Sequence, residues 1–187
     1  MTEPNSNPSS KPEHLAYDDL FTEKDERYMQ RALELAAVAE SEGEVPVGAI
    51  LVLNDQIIGE GWNRSIGQHD ATAHAEMMAI KQAGQALENY RLLDTTLYVT
   101  LEPCPMCAGA MVQSRVGKVI YGASDLKTGA AGSVINLLGG EGVYHQVQAS
   151  AGLLADECRF QLQAFFKRRR LEKKELKRLK KREDGEL

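Results

Sequence analysis

The chain has 187 residues, 43% of them hydrophobic and 26% charged, with a formal net charge of −5 at pH 7. This composition is typical of a soluble globular protein, and the length fits one domain with a sizeable core. Three cysteines cannot build a disulfide framework, and no apolar run reaches the roughly 20 residues that cross a bilayer. We therefore expect a cytoplasmic protein with no membrane partner.

The first elements follow a polar terminus. Residues 1–21 are rich in Pro, Ser and Asn and lack the apolar stretch of a signal peptide, which predicts a disordered N-terminal extension. From Thr22, apolar residues recur at helical spacing until Gly43, which predicts a first helix. Thr22 and Asp25 fit a capping box only loosely.

A hairpin and a polar loop come next. Residues 45–53 predict a strand, Asn54-Asp55 a tight turn and residues 56–61 a returning strand. The polar loop 62–70 leads towards His74, and a loop at that place is a candidate substrate wall. Asn63 and Asp70 in this loop also have the commoner interpretation of turn and cap residues.

The residues suited to metal binding lie between His74 and Cys107. The sequence reads His74-Ala75-Glu76 and, thirty positions after His74, Glu102-Pro103-Cys104-Pro105-Met106-Cys107. One imidazole and two thiolates suit zinc, and three protein ligands leave one tetrahedral position free for water. Glu76 is not needed as a ligand, so we predict that it is the catalytic residue that moves protons.

The neighbouring sequence supports this interpretation. Residues 95–101 predict a strand that delivers Cys104 at its carboxyl end, and helices are predicted from near Thr72 and from Pro105. All three ligands then lie at helix starts, where the positive end of the helix dipole favours a thiolate.

Three other interpretations of these residues are open. The two cysteines fit a thioredoxin-like redox pair, although such a pair does not require the upstream His-x-Glu. A closed structural zinc site requires a fourth ligand, for which the candidates are His69, His145 and Cys158. Glu76 alone is also compatible with a solvated helix position, although its apolar neighbours predict burial.

A strand at residues 117–122 and a glycine-rich loop to Ser133 follow. The loop lacks the Gly-Lys-Ser/Thr ending of a phosphate-binding loop, but its place after a strand puts it on the predicted active-site edge. Residues 143–147 weakly predict a fifth strand. From Gly152 onward the apolar residues predict an amphipathic helix.

The end of this helix is strongly basic. Residues 167–182 carry eleven basic and two acidic side chains, a local net charge of +9. A basic helix favours binding to a polyanion such as RNA, whereas an isolated charge run is also compatible with a solvated tail. Because the same chain carries a nucleobase-type zinc motif, RNA binding is the favoured function of this helix over a solvated tail.

Residues of about 22–170 resemble the bacterial tRNA-specific adenosine deaminases of the cytidine deaminase-like superfamily. The H-x-E and P-C-x-x-C elements identify only the superfamily, and residues 62–64 and 125–133 narrow the resemblance to the tRNA enzymes. Two departures are Ala71, where the family often has proline, and the long terminal segments. The stretches that carry the resemblance are residues 42–49, 61–64, 69–76, 97–111 and 125–133.

The resemblance implies an α/β protein with a three-layer α/β/α cytidine deaminase-like fold and a mixed five-stranded sheet. It implies a homodimer with one Zn²⁺ per subunit, acting on a tRNA anticodon stem-loop. The chain divides into a disordered extension (1–21), a zinc-dependent deaminase domain (22–170) and a charged, mainly basic tail (171–187). The substrate contacts implied are Asn63, Asp125, Lys127, Phe166, Arg169 and Arg170, with main-chain groups near Ala75 and Glu102.

The implied reaction is zinc-dependent hydrolytic deamination of the wobble adenosine to inosine, with water adding at C6 and Glu76 moving the protons. Two alternatives remain at this point. The same motif serves a free guanine, cytosine or deoxycytidylate deaminase, which has no need of a basic tail. The second alternative is a non-catalytic RNA-binding subunit that keeps zinc for stability, although such a subunit does not require Glu76.

Overall fold

The structure is a computed structural model, and it describes residues 20–140 and 142–183. Most of the predicted N-terminal extension and the last four residues of the tail lie outside these ranges. Phe21 is described and is buried against the core. Among the helices of the described ranges, none combines the length and apolarity needed to cross a membrane.

The sheet has five strands in the order β2-β1-β3-β4-β5. Strand β1 is antiparallel to β2 and β3, whereas β4 is parallel to both β3 and β5, so the predicted mixed five-stranded sheet is confirmed. The elements of the described residues are α1 (Glu23–Ser41), β1 (Gly48–Leu53), β2 (Gln56–Trp62), α2 (Ser65–Gln68), α3 (Ala75–Ala86), β3 (Thr96–Leu101), α4 (Pro105–Ser114), β4 (Lys118–Ala123), β5 (Gln148–Ala151) and α5 (Ala155–Glu183).

Helices cover both faces of the sheet, which confirms the three-layer α/β/α architecture. One face packs against α1 and the start of α5, where Met29, Leu35 and Cys158 are buried with Ile50 of β1. The other face packs against α3 and α4 through a second cluster. That cluster includes Leu51, Ala79, Ala83, Leu97, Val99 and Met111.

The start of α1 is held by a full capping box. The Thr22 hydroxyl accepts a hydrogen bond from the Asp25 amide at 3.2 Å, and the Asp25 carboxylate accepts one from the Thr22 amide at 2.8 Å. Aspartate therefore replaces the usual glutamate in this box. The Tyr98 hydroxyl of β3 also donates to Asp25 at 2.6 Å, which ties the helix start to the sheet.

Two predicted elements differ from the structure. The prediction of a fifth strand at residues 143–147 is wrong, because β5 is Gln148–Ala151. Val147 bonds to Leu138 in a loop, and pairing with β4 begins only at Gln148. Strand β5 is a short edge strand of small and polar residues, so it lacks the β-branched pattern that identifies a strand. Helix α3 begins at Ala75, not near Thr72, because His74 is extended at the N-cap.

Helix α3 lies on β2 with no room for a side chain between the two backbones. A Cβ atom at Gly61 would overlap the carbonyl oxygen of Ala75 and the amide of Ala79, both of them backbone atoms. This close approach places the start of α3 over the end of β2.

We expect Gly61→Ala to lower the free energy of unfolding by about 1–3 kcal/mol, since rigid backbone must move to admit the methyl group. Thermal unfolding measures the change. Gly109→Ala is the matched control, because a Cβ there meets nothing within 4 Å and alanine favours the helix. Equal melting temperatures for the two variants would contradict the close packing.

Candidate metal centre and substrate cavity

The topology brings several chain segments to one edge of the sheet. Because β3 and β4 are parallel, Leu101 and the loop after Ala123 leave the sheet at the same edge. Strand β1 runs the opposite way, so Val47 precedes it at this edge, and β2 ends there next to Asn63. Side chains from four connections can therefore meet.

The three candidate ligands lie at two helix N-termini facing this edge. His74 is the N-cap of α3, and Cys104 is the N-cap of α4. Pro105 begins α4, and Cys107 is its third residue. Neither N-cap side chain forms a capping hydrogen bond, and Nδ1 of His74 and Sγ of Cys104 instead lie close to each other and to Cys107.

The spacing of the three donor atoms fits zinc. Nδ1 of His74 lies 3.6 Å from Sγ of Cys104 and 3.6 Å from Sγ of Cys107, and the two sulfur atoms are 3.7 Å apart. Ordinary zinc bond lengths put such atoms about 3.5–3.8 Å apart at the corners of a tetrahedron. Within the described ranges, His74, Cys104 and Cys107 form the cluster that could hold a metal ion. They would supply three of the four ligands of a tetrahedral zinc site.

The ionisation of the three side chains is coupled. The hydrogen bond between Cys104 and Cys107 lowers the pKa of the Cys104 thiol to about 4, and His74 adds to this effect. The same contact with Cys104, together with burial, raises the pKa of Cys107. The hydrogen bond with Cys104 also raises the pKa of His74. A divalent cation favours the deprotonated form of all three groups, which matches a metal-binding role.

Glu76 is buried beside the three candidate ligands and does not belong to the group that could hold a metal ion. It is the second residue of α3, and only 4% of its surface is exposed. Burial raises the pKa of its carboxyl group, and its side chain is in hydrogen-bond contact with Cys107. A buried carboxyl group with a raised pKa holds a proton more readily than an exposed one, so it can both accept and donate a proton at the metal centre.

A cavity of about 230 Å³ opens above this centre. It is smaller than the roughly 300–1,000 Å³ that drug-sized ligands occupy, so it suits a single small heterocycle. Its walls include apolar residues that the sequence did not identify as site residues, namely Val45, Val47 and Leu101. The full lining is Val45, Val47, Asn63, His74, Glu76, Leu101, Glu102, Cys104, Asp125 and Thr128.

Asn63 is fixed at the cavity wall by α3. Its side-chain Oδ1 atom accepts a hydrogen bond of 3.0 Å from the Ala75 backbone amide. The backbone amide of Asn63 donates to the Val47 carbonyl at 3.1 Å. The side-chain NH₂ group of Asn63 thus remains as a donor for a ligand. The Ala75 amide is engaged by Asn63, and a substrate contact of Ala75 stays a prediction.

Glu44 holds the loop that carries Asn63, a role that sequence reasoning missed. The Glu44 side chain is only 2% exposed, and its carboxylate accepts hydrogen bonds from the amides of Ile66 at 3.1 Å and Gly67 at 2.7 Å. Glu42 supports the same loop by accepting a bond from the Trp62 indole at 3.1 Å. Nothing in the local pattern around Glu44 predicts partners more than twenty residues away.

Glu102 plays a similar part for the opposite wall. Its carboxylate is 2% exposed and accepts hydrogen bonds from the amides of Asp125 at 2.9 Å, Ala131 at 3.1 Å and Ser133 at 3.0 Å. Gly129 passes directly over this carboxylate, where a Cβ atom would overlap it. The side chain of Glu102 therefore shapes the glycine-rich loop, in addition to the main-chain contact predicted from the sequence.

Three other predicted contacts lie on a neighbouring surface. Lys127, Phe166 and Arg170 line a second cavity of about 530 Å³, together with Leu162, Gln163 and Lys167. Lys127 belongs to the same loop as Asp125 and Thr128, so the two cavities share this loop. Arg169 lines neither cavity and forms an ion pair with Glu172 at 2.9 Å.

The proposed fourth ligands of a closed zinc site lie elsewhere. Nε2 of His145 is 2.8 Å from the Val116 carbonyl oxygen. Cys158 packs beneath Gly122 in the cluster on the other face of the sheet, and His69 is an exposed residue at the end of α2. Within the ranges described, none of the three joins the metal group.

Comparisons with known proteins agree with this site. Residues 22–123 match the family model described as the cytidine and deoxycytidylate deaminase zinc-binding region. The chain is 53% identical over 154 residues to a tRNA-specific adenosine deaminase of Haemophilus influenzae, covering 82% of this chain and 89% of the relative.

Two solved structures are also similar. One comes from a study of A-to-I editing by tRNA:A34 deaminases at the wobble position of transfer RNA. It has a TM-score of 0.70 and 39% identity, covering 72% of this chain and 98% of its own. The other is a guanine deaminase from Bacillus subtilis, with a TM-score of 0.51 and 42% identity over 53% of this chain and 64% of its own.

We expect Cys104→Ser to reduce the zinc content of the purified protein from one ion per chain to well below it, since a hydroxyl is a poor substitute for a thiolate. Elemental analysis measures this directly. Cys158→Ser is the matched control and should keep its zinc. Full zinc occupancy in Cys104→Ser would contradict the assigned ligand set.

We expect Glu102→Gln to loosen residues 125–133. The amide has one acceptor oxygen where the carboxylate has two, and lost hydrogen bonds to a charged group cost about 1–3 kcal/mol. Hydrogen exchange of the amides of Asp125, Ala131 and Ser133 should accelerate, with zinc content unchanged. Glu88→Gln, at an exposed position, serves as the control. Unchanged exchange in Glu102→Gln would show that the carboxylate does not hold the loop.

Proposed function

The chain belongs to the family of tRNA-specific adenosine deaminases, and on that premise we propose that it deaminates the wobble adenosine of a tRNA anticodon loop to inosine. The observation that carries this proposal is the buried Glu76 carboxyl group beside a three-residue zinc site, in a cavity the size of one heterocycle. The reaction consumes water and releases ammonia.

His74, Cys104 and Cys107 would hold the zinc ion. When bound, zinc supplies a nucleophile from water at neutral pH, because coordination lowers the pKa of that water. Glu76 takes the proton that the water loses and delivers protons to the ring nitrogen N1 and then to the departing amino group at C6. One carboxyl group can serve each transfer, because Glu76 lines the cavity next to His74 and Cys104.

The remaining cavity residues position the base. Val45, Val47 and Leu101 offer apolar contact to its faces, and the free NH₂ group of Asn63 can donate to the nucleoside. A base must leave its stack to enter so small a cavity, and a single-stranded loop makes this inexpensive. Asp125, Lys127, Phe166, Arg169 and Arg170 contact the nucleotides around it.

Several further proposals rest on the composition of the sequence and on the family resemblance. The chain acts as a homodimer in the cytoplasm, and it divides into residues 1–21, 22–170 and 171–187. Helix α5 crosses the boundary at residue 170 without a break. The tail is therefore a continuation of the domain's last helix up to Glu183.

Free guanine is a second candidate substrate, favoured by the similarity to the Bacillus subtilis guanine deaminase. The two candidates differ in whether the base must be delivered by an RNA loop. We expect the zinc-loaded protein to form inosine from an anticodon stem-loop with a wobble adenosine, and to leave free adenosine, guanine and cytidine unchanged. Product chromatography distinguishes them. Turnover of guanine with an inert stem-loop would replace the tRNA proposal with the second candidate.

We expect Glu76→Gln to keep its zinc and lose at least about 100-fold in the rate of inosine formation, because general acid–base catalysis contributes about 10²–10⁴. Single-turnover rates and zinc analysis on the same sample measure both. Glu88→Gln, at an exposed position after α3, is the control. A near-normal rate in zinc-loaded Glu76→Gln would remove this residue from the mechanism.

A further inference from the structure

Positive and negative charges are segregated along the second half of α5. The two acidic residues between positions 167 and 182 are already paired, Glu172 with Arg168 and Arg169, and Glu175 with Arg178. The salt bridges of the described residues include none for six lysines and two arginines of this helix. These are Lys167, Arg170, Lys173, Lys174, Lys177, Lys180, Lys181 and Arg182.

Most of the unpaired cations share one side of the helix. Arg170, Lys173, Lys177 and Lys181 follow one another at spacings of three or four residues, and Lys180 lies beside them, so they form one face of an α-helix. We call these five residues the basic stripe. Helical geometry puts Glu172 and Glu175 on the opposite side. All five residues of the stripe are exposed.

The basic stripe begins next to the candidate active site. Phe166 precedes Arg170 by one helical turn, and both line the 530 Å³ cavity with Lys127. Lys127 is flanked in sequence by the loop that forms the wall of the substrate cavity. From Phe166 to Lys181 the helix extends about 22 Å at 1.5 Å per residue. The stripe therefore continues outward from the place where the RNA loop would enter.

We propose that the basic stripe binds the phosphate backbone of the anticodon stem while the loop base occupies the catalytic cavity. This inference rests on the proposed function, since it takes the same RNA as its ligand. Lysines bind phosphates as flexible point charges and read no base edges, which suits the regular backbone of a helical stem. The alternative ligand of a basic helix, an anionic membrane surface, does not explain why the stripe begins at a cavity that Lys127 of the active-site loop also lines.

The test compares two triple variants that each remove three positive charges. Lys173→Gln/Lys177→Gln/Lys180→Gln removes most of the stripe, whereas Arg168→Gln/Arg178→Gln/Arg182→Gln removes cations from the opposite side of the same helix. Glutamine preserves helix propensity, and circular dichroism verifies that the helix is intact. Each variant is measured with a stem-loop RNA and with a linear oligonucleotide of the same loop sequence.

For the stripe variant, we expect the slope of log binding constant against log salt on the stem-loop to fall by about 2–3, since each phosphate contact contributes about 0.9. Binding to the linear oligonucleotide and kcat at saturating stem-loop should not change. The control variant should retain most of the wild-type slope. Equal slopes for all three proteins, equal losses in both variants, or an equal loss on the linear oligonucleotide would each overturn the proposal.

Two further outcomes distinguish this proposal from a membrane-binding site and from the proposed function. If the stripe variant loses binding to vesicles containing anionic lipid and keeps its stem-loop slope, the surface is a membrane site and the proposal fails. If wild-type protein binds the stem-loop through the stripe but forms no inosine, the proposed function fails while the RNA-binding surface stands.

Discussion

The convergence of three ligand atoms from two helix N-termini is the constraint on which the rest of the structure depends. His74 and Cys107 are far apart in the chain, yet their donor atoms lie 3.6 Å from each other, a separation at which both can bind one metal ion. The parallel pairing of β3 and β4 and the close packing of α3 on Gly61 fix where those helices begin. The metal site is thus a consequence of how the two helices are seated on one sheet.

Two buried carboxylates fix the loops that form the walls of the cavity. Glu44 and Glu102 are each 2% exposed, and each accepts hydrogen bonds from backbone amides of a neighbouring loop. A buried charge without such partners is costly, so the loops and the carboxylates stabilise one another. The exposed side chains around Lys127, Phe166 and the basic stripe then remain for the proposed contacts with RNA.

Sequence reasoning identified what is local or chemically specific. The capping box at Thr22 and the hairpin follow from short-range patterns, and His74, Cys104 and Cys107 follow from the narrow choice of zinc ligands. It failed where partners are remote or the pattern is weak. Strand β5 is too small and polar to stand out, and Glu44 resembles any surface acid until the loop at Gly67 is folded against it.

The most direct measurement is a zinc titration of metal-depleted protein, followed by inosine formed from an anticodon stem-loop in a single turnover. If one zinc ion held by His74, Cys104 and Cys107 works with Glu76, activity should rise linearly and reach its plateau at one zinc per chain. Full activity in the metal-free protein, or a plateau that requires a different number of ions, would contradict a single three-residue metal site as the catalytic centre.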